Sequence, residues 1–184
     1  YEGRNFLNRE EGLLMMDGSA SFSQTSGSEK LRGMAYQYRF EARVRDPGNQ
    51  EIASVASAVV HPASFYLCVK KTGSSFGFVN KGDAISYDYI LVDPNGNLPE
   101  TALWNSNANE GKIKVELERE EWKAVHQIAV TGQLNTRYVK EMVSESTTSI
   151  KIQKSGSFTI KPQNAGSYLL RVSTVDSKGR EVVS

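Results

Sequence analysis

Apolar and polar residues alternate with a period of two over much of this chain. From Tyr36 through Gln37, Tyr38, Arg39, Phe40, Glu41, Ala42, Arg43 and Val44 to Arg45, every even position is apolar and every odd one polar. A strand sends successive side chains to opposite faces, so the pattern predicts a strand with one buried and one wet face. Asp46-Pro47-Gly48-Asn49 stops it with turn chemistry, Pro fixing φ and Gly permitting positive φ. Ile52–Val60 then returns as an apolar, β-branched strand that ends at His61-Pro62. The unit recurs where Ile85, Tyr87, Tyr89 and Leu91 alternate with Ser86, Asp88 and Ile90 ahead of Asp93-Pro94-Asn95-Gly96. It recurs again where Tyr168, Leu170 and Val172 alternate with Leu169, Arg171 and Ser173 ahead of Asp176-Ser177-Lys178-Gly179. Further strands are expected at Phe65–Val69, Ile113–Leu117, Tyr138–Val143, Ser149–Ile152 and Ser157–Ile160. No clear helix emerges; Glu116–Gln127, rich in charge, fits either an exposed helix or a strand.

The first and third units are the most alike, which predicts two consecutive antiparallel sandwiches. The boundary falls near His61-Pro62-Ala63-Ser64, giving residues 1–62 and 63–184. The first span falls short of the ~100 residues of a complete sandwich, so it is expected to lack early strands or to lean on support from outside this chain. The second is too long, and part of the excess, about Trp122 to Ser155, reads as an inserted or extended stretch. Asp17–Ser28 is rich in Ser and Gly and reads as loop or edge strand. The chain opens on Tyr1 rather than Met, as expected of a piece cut from a longer protein.

Composition narrows the function classes. The 184 residues carry 22 Lys plus Arg against 21 Asp plus Glu, a net charge of +1. That balance argues against a strongly basic nucleic-acid binder or a basic membrane-surface helix. Hydrophobic residues make up 39%, a share that suits thin two-layer domains. One cysteine excludes an internal disulfide and a multi-cysteine zinc site. No apolar run approaches the ~20 residues of a membrane helix.

Candidate chemistry is sparse. Cys68 lies in the apolar run Phe65-Tyr66-Leu67-Cys68-Val69 and is expected to be a buried core side chain. His61 and His126 stand far apart and read as structural or solvated, not catalytic. No metalloprotease, nucleophile-elbow, Walker or dinucleotide motif occurs. Gly73-Ser74-Ser75-Phe76-Gly77 has no Lys to meet a phosphate and reads as a hairpin loop. Asp46, Asp93 and Asp176 are either turn residues or, less simply, calcium ligands. These readings assign no enzyme activity, catalytic residue, metal or cofactor. Trp122–Lys154 stands out differently: Lys123, Arg137, Tyr138, Lys140, Met142, Lys151 and Lys154 lie among Ser, Thr and Gly. An exposed segment of this kind offers cleavage points to proteases of several specificities, although any long polar loop looks similar.

Several runs resemble the middle of bacterial alpha-2-macroglobulins. They are Tyr38-Arg39-Phe40-Glu41-Ala42-Arg43-Val44-Arg45-Asp46, Val59-Val60-His61-Pro62-Ala63-Ser64-Phe65-Tyr66 and Gly82–Ile85 through Val92-Asp93-Pro94-Asn95-Gly96. Lys112–Leu117 with Glu121-Trp122, Phe158–Pro162, Ala165–Val172 and Asp176–Arg180 are similar to the same region. The resemblance covers most of residues 36–184. It implies an all-β fold of tandem immunoglobulin-like (macroglobulin-like) antiparallel β-sandwich domains, the second carrying a bait region at about 122–155.

The same resemblance implies a broad-spectrum endopeptidase inhibitor, in which cleavage of the bait triggers a rearrangement that traps the protease. Its partners would be target proteases and neighbouring macroglobulin-like domains of the parent chain, with no nucleic acid. It implies a bacterial periplasmic or cell-envelope location, with membrane attachment only through a lipid anchor outside this segment. Many members use a Cys-x-Glu-Gln thioester; here Cys68 is followed by Val69-Lys70-Lys71, so this segment lacks the covalent trap. Thr131–Ser149 fits the bait best, with Arg137, Tyr138, Lys140 and Met142 as candidate cleavage positions, although Tyr138, Val139, Met142 and Val143 also fit a partly buried strand. The alternative is a structural or adhesive spacer of tandem immunoglobulin-like domains in a bacterial surface protein.

Overall fold

The structure, a computed structural model, describes residues 7–25, 34–73, 80–105, 107, 110–128 and 134–184, with backbone alone at 127, 128 and 134. The expected loop at Gly73–Gly77 lies outside the described residues beyond Gly73. Asp17–Thr25 contains a turn and no strand; its carboxylate accepts from the Ser19 amide at 3.0 Å.

The described strands pair antiparallel throughout. Strands β1 (Tyr36–Arg45) and β2 (Glu51–Val60) form a two-stranded sheet in unbroken register from Tyr36 opposite Val60 to Arg45 opposite Glu51. Strands β3 (Tyr66–Lys71), β4 (Ile85–Val92) and β7 (Ser155–Ile160) form a second sheet in the order β3-β4-β7. Strands β5 (Lys112–Ile128), β6 (Leu134–Lys151), β8 (Tyr168–Val175) and β9 (Glu181–Val183) form a third in the order β6-β5-β8-β9. A single helical turn, α1 (Thr101–Trp104), follows the buried Pro99 and seats Trp104 in the core. One turn is too short to leave a 3.6-residue period, which is why the pattern showed no helix.

The second and third sheets share one core. Leu67, Tyr89, Leu91, Phe158 and Ile160 come from one, and Ile113, Val115, Leu117, Val172 and Val182 from the other. The expected alternation in β4 and β8 holds: Tyr89, Leu91 and Val172 are buried, while Ile90 and Leu169 are exposed. Cys68 is a correction, because its thiol is exposed. Leu67 takes the inward position in β3, and the pleat turns the next residue outward. The β1–β2 pair is a second correction. Its apolar face was expected to be buried, yet Phe40, Val44 and Ile52 are exposed, since neither strand pairs with another described strand and no described sheet covers them. Glu116–Gln127 is strand, not helix, being part of β5.

The three Asp turns share one geometry. In each, the Asp amide donates to the carbonyl four residues on, and the residue three on donates back to the Asp carbonyl. That residue has positive φ: Asn49 at 66°, Gly96 at 85° and Gly179 at 75°. The left-handed position in the first turn is therefore Asn49 and not Gly48, as Asn tolerates that region better than other side chains. The Asp carboxylates accept main-chain N–H groups, with Asp46 taking Gln50, Asp93 taking Asn95 and Asn97, and Asp176 taking Lys178 and Arg180. Their turn role thus accounts for them without a cation.

Asp176 does more. It is fully buried, and its second oxygen accepts from the Ser64 amide at 3.0 Å, the Ser64 hydroxyl at 3.1 Å and Arg180 Nε at 2.8 Å. Burial alone would raise its pKa. The Arg180 guanidinium and the amides of Arg180, Ser64 and Lys178 outweigh it and hold the carboxyl at about 2. The carboxylate thereby fastens the segment after β2 to the β8–β9 turn.

Candidate functional site: the β5–β6 ribbon

Strands β5 and β6, 17 and 18 residues long, outreach the sandwich they belong to. Strand β8 accompanies β5 only from Lys114 to Arg119, and the last bond on that edge runs from the Glu120 amide to the Ser167 carbonyl at 2.9 Å. Beyond it β5 and β6 continue as a ribbon of two strands, from Glu121 opposite Glu141 to Ile128 opposite Leu134.

The two halves are joined out of phase. The register slips between Leu117, opposite Ser146, and Glu118, opposite Ser144, leaving Glu145 as the extra residue of a bulge. In the inner half the even residues Ser146, Thr148 and Ile150 lie opposite the core-facing Leu117, Val115 and Ile113. In the outer half Met142, Lys140, Tyr138 and Thr136 lie opposite Glu120, Trp122, Ala124 and His126, on the other face. That face is open to solvent, with Trp122 62% and Tyr138 66% exposed. Arg137 projects from the opposite face, across from Val125, and is also exposed. All four expected cleavage positions therefore lie exposed on the outer half of β6, a strand paired along one edge only. They lie in a hydrogen-bonded strand, not in an open loop.

Surface charges knit the outer half. Lys140 Nζ meets Glu120 Oε2 at 2.6 Å, Lys123 pairs with Glu141, and Trp122 Nε1 donates to Glu120 Oε1 at 2.8 Å. Lys140 holds the Glu120 carboxyl below its ordinary range, and Glu141 raises Lys123. His126 Nδ1 lies 3.0 Å from the Thr136 hydroxyl across the ribbon, and His61 Nδ1 lies 2.6 Å from the Tyr66 hydroxyl. The two histidines stand apart, His61 just after β2 and His126 in β5, and serve local contacts.

At the base of the ribbon sits a cluster that sequence reasoning missed. The side chain of Glu145 is 9% exposed, and its carboxylate takes the Tyr168 hydroxyl at 2.7 Å, Asn164 Nδ2 at 3.4 Å and the Gln163 amide. Arg119 Nε stands 3.3 Å away. Burial opposes the charge, and those donors with Arg119 outweigh it, so the carboxyl sits below its ordinary range. No sequence signal marks the bulge, because apolar residues of β6 fall at even positions (Leu134, Tyr138, Met142, Ile150) and at odd ones (Val139, Val143) alike.

Fold and ribbon together define an antiparallel β-sandwich protein with a projecting two-stranded arm. Among the described residues no group of His, Cys, Asp and Glu is arranged to hold a metal, and no helix is long and apolar enough to cross a membrane. No protein-family model matches the chain. An alpha-2-macroglobulin homolog from Nostoc sp. is 23% identical over 163 residues, covering 89% of this chain. The chain is thus similar in sequence to a bacterial alpha-2-macroglobulin homolog over most of its own length, while spanning 8% of that relative. Salmonella alpha-2-macroglobulin reacted with methylamine matches 82% of the chain at 10% identity and a TM-score of 0.46. The native conformation of the E. coli protein matches 87% at 14% identity and 0.47. This chain spans 10% of each of those structures.

Proposed function

We propose that this chain is the bait-bearing segment of a bacterial alpha-2-macroglobulin-like, broad-spectrum endopeptidase inhibitor, and not an enzyme. Its partners are target proteases and neighbouring macroglobulin-like domains of a longer chain, residues 1–62 and 63–184 being parts of two such domains. The setting is periplasmic or cell-envelope, with any lipid anchor elsewhere in the parent. The bait is the outer half of the ribbon within 122–155, and cleavage near Arg137, Tyr138, Lys140 or Met142 releases a constraint that lets the parent close on the protease.

One observation carries this reading. The outer half of β6 offers basic, aromatic and aliphatic side chains on an edge strand with no third described strand beside it. A protease needs extended backbone, and a two-stranded ribbon opens locally far more easily than a strand inside a sheet. The spacer reading has an observation of its own, since β6 is paired with β5 from end to end.

Limited proteolysis with trypsin, chymotrypsin and elastase, with cuts mapped by mass spectrometry, separates the two. The bait reading expects the earliest cuts by all three within 122–155, with both flanks intact. Survival of that stretch while residues 17–28 or the chain ends are cut would leave the spacer.

A further inference from the structure

The β5–β6 ribbon changes character close to the bulge. Inward of Glu145, β5 lies between β6 and β8 over the core; β8 follows β5 two residues past the bulge, to Arg119, and from Glu121 opposite Glu141 outward the two strands pair, among the described residues, with each other alone. Strand β6 is an edge strand, so separation from its tip breaks one or two ladder bonds at a time, each a small step. At Glu145 the resistance is of another kind. The bulge turns this side chain off the ladder and into the β7–β8 connection, where it meets Gln163, Asn164 and Tyr168, with Arg119 alongside. Passing that point means breaking several charge-assisted contacts to a different part of the chain together.

We propose that Glu145 is a stop that confines separation of β6 from β5 to the outer half of the ribbon. The inner half keeps its place over Ile113, Val115 and Leu117 whatever happens beyond the bulge. The stop deepens the bait reading and rests on it for meaning: a cut near residues 137–142 frees the outer segment of β6 while the sandwich survives.

Hydrogen–deuterium exchange on the intact chain tests the stop without any protease. The hydrogen-bonded amides of 135–143 should exchange at least ~100-fold faster than those of 146–150, with the step at the bulge. In Glu145→Ala the step should move inward, the 146–150 amides speeding up at least ~10-fold while β8 and β9 change less than ~3-fold. Glu145→Gln keeps acceptors for Gln163 and Tyr168 without the charge, and should fall between the two. Tyr168→Phe removes one donor and should shift the step in the same direction by less, which keeps the idea testable if Glu145→Ala does not fold. Uniform exchange along wild-type β6, or an unmoved step in both Glu145→Ala and Tyr168→Phe, would overturn the proposal. Failure of the bait reading looks different: the exchange step is present, but proteases cut elsewhere.

Discussion

Asp176 shows how one residue's environment sets a pH dependence. Its carboxyl sits at about 2 in the folded chain against an ordinary 3.8. A depressed pKa contributes stability that is complete above the unfolded value and is lost as pH falls through the folded one. The window therefore opens near 3.8 and closes near 2, and it carries about 2 kcal/mol. Urea unfolding of the wild type should show this fall, and Asp176→Asn should lack it. At neutral pH Asp176→Asn should cost about 3 kcal/mol, the low end for a broken buried pair. Arg180 can turn to water, since its side chain is 41% exposed. The turn role of Asp176 was legible, because Asp-Ser-Lys-Gly after an alternating strand names a turn. Its tie to Ser64 was not, since a contact between residues this far apart leaves no local trace. Cys68 was misread for another reason. Phe65-Tyr66-Leu67-Cys68-Val69 is apolar throughout, so no alternation says which face is inward.

Among elements, the strands with period-two alternation were the legible ones, β1 included although its apolar face is exposed. Burial forces period two on β4 and β8. The outer ribbon has no covered face among the described residues, so its pattern is weak: Tyr138–Val143 fitted either a strand or an open bait, and Glu116–Gln127 either a helix or a strand. Pairing with β5 decides the matter. Its cross-strand ion pairs are solvent-exposed, with the Lys140 side chain 51% exposed. Lys140→Ala should therefore change global stability by less than ~0.5 kcal/mol in denaturant unfolding. The same substitution removes a basic cleavage point, and tryptic cutting in the ribbon should shift to Arg137 or Lys123.

In the whole molecule, stability resides in the sandwich and not in the β1–β2 hairpin. Leu117 is 1% exposed in the shared core, whereas Phe40 is 47% exposed on a sheet of two strands. Leu117→Ala should cost about 2–5 kcal/mol in the main unfolding transition. Phe40→Ala should leave that transition within ~0.5 kcal/mol, which thermal unfolding of the two variants will decide. Alternation in β1 marks a face built to be covered, and pattern reading had no means of knowing that the cover is absent from the described residues.

The order β6-β5-β8-β9 also governs what a broken peptide bond leaves behind. A scission in the outer half of β6 leaves β5 on the upstream piece and β8 on the downstream piece, and those strands remain neighbours in one sheet. Strands β4 and β7, likewise on opposite sides of the cut, stay bonded in the other sheet. The severed chain thus stays a single particle: in native solution its mass grows only by the one water that hydrolysis adds, and only a denaturant parts it into two fragments.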